Sequence, residues 1–117
     1  MGKKQNESEP VRLSAIDEDI LTVLLGRKLY GLEVLELLNK GRPLQIGFGS
    51  LYPALNRLEK KKLVSWQWGD ESDETGGARR KYYEVTALGA TVLKDVQEYR
   101  TQLALRVSQG QASPSGT

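Results

Sequence analysis

The groups best equipped for chemistry are an amide, a guanidinium and an ammonium. Asn56, Arg57 and Lys60 share one arc of a helix that turns about 100° per residue. Pro53 lies on the same arc and Tyr52 on its flank. A carboxamide can bond the edge of adenine through two hydrogen bonds, and a guanidinium can do so for guanine. The hydroxyls of Ser50 and Tyr52 suit phosphate oxygens, and a helix N-terminus favours anions. Lys60, Lys61 and Lys62 form one cationic cluster; Arg79, Arg80 and Lys81 form another. These are groups that bind. The chain has no histidine and no cysteine, which excludes Ser–His and Cys–His catalysis, disulfides and ordinary zinc sites. The 15 acidic residues fall mostly on predicted helix surfaces or in one polar loop, without the apolar surroundings that raise a carboxyl pKa. No catalytic residue, metal or cofactor is expected.

Helices must position these groups. Ser14 and Asp17 make an S-x-x-D capping pair before Ile16, Ile20, Val23 and Leu24, and Gly26 ends that helix. A second helix begins near Gly31, with Leu32, Val34, Leu35 and Leu38 as its apolar side. Gly41 stops it in the left-handed conformation, and Arg42-Pro43 forbids continuation. Ser50 is the expected N-cap of the third helix, with Pro53 in its first turn. Leu51, Leu55 and Leu58 anchor this helix from behind.

Val64, Trp66 and Trp68 alternate with Ser65 and Gln67, which is strand periodicity. A polar loop, GDESDETGG, leads to a return strand over Arg79 to Val85, with Tyr83 inward and Tyr82 outward. Asp70, Glu71, Asp73 and Glu74 in the loop would be repelled by phosphate, so the tip should point away from a duplex or pair with Arg79 and Arg80. Thr86 caps a last helix whose stripe, Val85, Leu88, Val92, Val96, Tyr99, Leu103 and Val107, is longer than so small a domain can cover. A second copy of the chain is its expected partner.

The fold class is mainly α with a small β-hairpin: a winged helix-turn-helix plus a long C-terminal dimerisation helix. A flexible arm (1–12), the DNA-binding domain (13–85), the dimerisation helix (86–107) and a disordered tail (108–117) divide the 117 residues. The net charge of +2 does not by itself announce a nucleic-acid binder; the placement of 17 basic residues does. With no apolar run of about 20 residues and no secretory signal, the expected location is the cytoplasm, without a membrane partner.

The chain resembles the PadR-type transcriptional regulators, in their shorter form with a single C-terminal helix. The resemblance spans roughly Asp19 to Tyr99. It rests on Leu29-Tyr30-Gly31, on Gly49-Ser50-Leu51-Tyr52-Pro53-Ala54-Leu55 followed by Arg57-Leu58-Glu59, and on Gly77-Ala78-Arg79-Arg80-Lys81-Tyr82-Tyr83 leading to Thr86 and Gly89. It implies a homodimer on a pseudo-palindromic DNA operator, repression, and in many members release by a small molecule. The dimerisation residues it implies are Leu88, Val92, Val96, Tyr99 and Leu103. One departure is Lys62, where these proteins usually carry glycine before the Leu-Val that opens the wing. The alternative is a winged-helix protein-interaction module, which the acidic loop mildly favours.

Overall fold

The computed structural model describes residues 11–70 and 79–112. Ser14 opens α1 (Ala15–Leu24) as the sequence requires: its Oγ accepts from the Asp17 N–H at 3.2 Å, and Asp17 Oδ2 accepts from the Ser14 N–H at 3.1 Å. A left-handed Gly26 (φ 77°) follows the helix end. Next comes a two-residue strand, β1 (Leu29–Tyr30), that periodicity cannot reveal. The Tyr30 N–H donates to Glu33 Oε1 at 3.1 Å at the start of α2 (Gly31–Asn39). Gly41 takes the expected left-handed conformation, at φ 75°. Of the apolar side expected for α2, Val34 and Leu38 are buried and Leu35 partly so, whereas Leu32 is exposed.

The third helix, α3 (Phe48–Lys60), starts earlier than expected. Gly47, not Ser50, is its N-cap, and its carbonyl accepts from the Ser50 and Leu51 N–H groups at 3.1 Å. Pro53 therefore lies inside the helix rather than in its first turn. Gly49 and Pro53 are both exposed, so water can satisfy the carbonyl that proline leaves without a donor. Stacking of Phe48 on Tyr52, with centroids 5.4 Å apart, favours the extra turn.

Strands β2 (Val64–Trp68) and β3 (Lys81–Val85) pair antiparallel, with Trp66 opposite Tyr83 and Trp68 opposite Lys81. β1 adds to the other edge of β3, with Leu29 opposite Tyr83, so the sheet has three strands in the order β1-β3-β2. The last helix, α4 (Ala87–Ala112), runs past Val107 and takes in the first residues assigned to a tail from Ser108. Thr86 caps it, accepting from the Gly89 N–H at 2.9 Å. The arm assignment also changes at its end: Val11 packs against the core, and the Arg12 carbonyl accepts from Lys61 Nζ at 3.0 Å.

The core lies where α1, α2, α3 and the sheet meet. Ile20, Leu21 and Leu24 of α1 meet Val34, Leu51, Leu55, Leu58 and Leu63, all fully buried. Each such side chain contributes about 1.5–3 kcal/mol by leaving water. From α4 the core takes Leu93, which lies off the stripe; Leu88 of the stripe stays exposed.

Lys62 is the only non-glycine residue with positive φ (66°) among the described residues. It closes α3 as a Schellman turn: the Leu63 N–H donates to the Leu58 carbonyl and the Lys62 N–H to the Glu59 carbonyl, both at 2.9 Å. A lysine there carries a left-handed penalty of about 1 kcal/mol. Lys62→Gly is expected to raise stability by no more than about 0.5 kcal/mol, measured by urea denaturation, because glycine's added unfolded-state freedom offsets most of the relieved penalty.

Candidate nucleic-acid interface

Burial divides α3 cleanly. Leu51, Ala54, Leu55 and Leu58 are fully buried, while Tyr52, Pro53, Asn56, Arg57 and Lys60 are exposed, as are Ser50 and Lys61. The helix is thus fixed from behind and presents a polar, cationic front.

The turn that aims it is held by side chains, with Asn39 at its centre. Asn39 Nδ2 donates to the Ile46 carbonyl at 2.9 Å, and its Oδ1 accepts from the Ile46 N–H at 2.8 Å. Gln45 Nε2 donates to the Asn39 carbonyl at 2.9 Å, and Arg42 pairs with Asp19 at 3.0 Å. The hydrogen-bonding role of Asn39 leaves no sequence signal beyond its place before a stop glycine.

Arg57 is not a freely extended side chain. Its Nη2 lies 2.8 Å from Oδ1 of Asp17, a carboxylate 1% exposed. Asp17 thereby caps α1 and clasps α3 as well. Arg57→Ala strands this carboxylate and should lower stability by about 2 kcal/mol in denaturant titration. That is less than for a fully buried pair, because the guanidinium is half-exposed. Tyr52 sits so closely over Gly31 that a Cβ there would lie 2.1 Å from its hydroxyl oxygen. Its ring is therefore as much a spacer between α2 and α3 as a hydroxyl donor.

The wing's cations lie on aromatic faces. Arg80 sits 4.6 Å from the Tyr30 ring centroid, Arg79 5.5 Å from that of Trp68, and Lys81 4.0 Å from that of Trp66. Among the described residues neither arginine pairs with Asp70. Glu71, Asp73 and Glu74 lie outside the described residues. Tyr83 is buried as expected, and burial, with Tyr52 and Glu59 nearby, raises its phenol pKa. A residue not picked out as functional in the sequence, Glu59, joins α3 to the wing by accepting from Trp66 Nε1 at 2.9 Å.

On α4, Val92 and Val96 are half-buried, and Leu88, Tyr99 and Leu103 are exposed. A groove of about 420 Å³ lies between Val11 and this face, with Val92, Val96, Tyr99 and Leu103 along it. Arg100 ties the helix to α1 through Glu18, at 2.7 Å. Among the described residues no group of side chains could hold a metal ion, and no helix is long and apolar enough to cross a membrane.

The chain is similar to known proteins. The profile of the transcriptional regulator PadR-like family matches residues 20–95. A protein from Lysinibacillus sphaericus is 37% identical over 83 residues, covering 69% of this chain and 73% of its own. The solved structure of a PadR-like transcription factor from Bacteroides fragilis is similar with a TM-score of 0.71 and 29% identity, over 80% of this chain and 87% of that one. A PadR family transcription regulator from Clostridium difficile is similar with a TM-score of 0.71 and 26% identity, over 84% and 99%. The family profile matches well over half of the chain, and the chain therefore belongs to the PadR-like family of transcriptional regulators.

Proposed function

We propose that two copies of this chain bind a pseudo-palindromic operator in double-stranded DNA and repress transcription from it. The observation that carries this reading is the exposed front of α3. Asn56 and Lys60 stand clear there, while four residues behind them are fully buried. Asn56 reads a base edge, and Ser50, Tyr52 and Pro53 approach the backbone at the start of the helix. Lys60, Lys61, Arg79, Arg80 and Lys81 neutralise phosphates, and Arg57 acts chiefly by holding α3 to Asp17. The stripe of Leu88, Val92, Val96, Tyr99 and Leu103 joins the two copies. A small-molecule effector would sit in the groove beside Val96, at the seam between them. The protein acts in the cytoplasm.

An electrophoretic shift against the DNA upstream of the chain's own gene tests this reading. Retardation at concentrations that leave scrambled DNA free is expected; equal retardation of both would refute it. One observation favours a second reading. Leu44 is 80% exposed in the turn before α3 and Phe48 is 42% exposed at its start, an apolar corner suited to a protein partner. Under that reading the chain shows no preference for any DNA.

A further inference from the structure

Glu59 sets a problem for the proposed use of α3. On the helix it stands next to Asn56, on the side of Tyr52, and carries a negative charge into the region meant to meet phosphates. The structure draws that charge aside. Glu59 Oε2 accepts from Trp66 Nε1 at 2.9 Å, which directs the carboxylate toward the wing. The indole is itself held. Trp66 stands opposite Tyr83 in the sheet, packs edge-on to Trp68 with centroids 5.1 Å apart, and carries the Lys81 ammonium 4.0 Å from its ring centroid. One ring thus satisfies both signs: its electron-rich face takes the cation and its polar N–H takes the anion.

We infer that Trp66 is a positioning residue for DNA binding, whose indole N–H holds the Glu59 carboxylate away from the phosphates. This rests on the proposed reading of α3. Without the N–H, the carboxylate swings on its flexible stem into the field of the duplex, where like charges repel. A merely structural tryptophan would act on folding, with no dependence on the charge of residue 59.

The test is a binding titration of the full chain on its upstream DNA, at low and high salt, with thermal melts to confirm folding. Trp66→Phe removes the donor and keeps an aromatic face, with some loss of packing from the smaller ring. It is expected to weaken binding about tenfold at low salt, with the deficit shrinking at high salt as the charges are screened. Glu59→Gln is expected to bind at least as tightly as the wild type. Adding Glu59→Gln to Trp66→Phe should restore that affinity. A Trp66→Phe protein that binds like the wild type overturns the inference. So does a deficit that persists in the double variant, or one that salt leaves unchanged. If the wild type itself shows no preference for the operator, the reading of α3 falls first and the inference with it; that outcome is read in the wild-type arm alone.

Discussion

Gly89→Ala is expected to destabilise the protein by about 3 kcal/mol or more, at the upper end of what overpacking costs. A Cβ on Gly89 would lie 2.1 Å from the Leu63 carbonyl oxygen and 2.8 Å from Val85 Cγ1. The first of these is backbone, and it has nowhere cheap to go. The Leu63 carbonyl accepts from the Thr86 N–H at 3.0 Å, and the Leu63 N–H closes the end of α3 at 2.9 Å. Moving the Leu63 backbone disturbs the end of α3 and the start of α4 together. Gly31→Ala is the informative contrast. A Cβ there also meets an atom at 2.1 Å, but that atom is the hydroxyl at the end of the Tyr52 side chain. Tyr52 can swing outward and leave its stack on Phe48, so the expected loss is about 1 kcal/mol. Urea denaturation of both variants measures the difference. Equal stabilities for Gly89→Ala and the wild type would mean that α4 does not start so close to α3.

Val96→Asp is expected to convert the proposed dimer to monomer and, with it, to abolish tight operator binding. Val96 sits mid-stripe on α4, half-buried along the groove lined by Val92, Tyr99 and Leu103. Beyond it the chain's own domain leaves Tyr99 58% and Leu103 41% exposed. A helix face of this kind is stabilised mainly by what covers it, and an aspartate placed there would have to be desolvated without a partner. Half-sites held by one protomer lose the gain from linking two binding events, which is commonly about a hundredfold or more. Sedimentation of the variant against the wild type decides the matter. A Val96→Asp protein that stays dimeric would move the interface elsewhere on the molecule.

Much of this arrangement is legible in the residues. The Ser14–Asp17 cap, the stop at Gly41, the buried row Leu51, Leu55 and Leu58, and the inward Tyr83 follow from local rules of capping, handedness and period. The left-handed strain at Lys62 follows from a lysine standing where glycine is usual. Other features depend on partners far away in sequence. β1 is too short to have a period and exists only because β3 offers it an edge. The start of α3 at Phe48 is set by the turn that Asn39 ties to Ile46, so Ser50 loses the capping role its type suggests. Arg57 looks like a base reader by type and arc; a carboxylate forty positions earlier gives it a second task. The same holds for Glu59 and Trp66, which are ordinary surface and strand residues until the wing folds back on the helix.

The central claim, that the exposed face of α3 reads sequence, is tested most directly by fluorescence anisotropy on the upstream operator and on scrambled DNA, at two salt concentrations, for the wild type and Asn56→Ala. The account predicts that the wild type prefers the operator and that its affinity falls steeply with salt. Asn56→Ala should lose about 1–3 kcal/mol of that preference while its binding to scrambled DNA is unchanged. An Asn56→Ala protein that keeps the full preference, or a wild type with none at either salt, would contradict it.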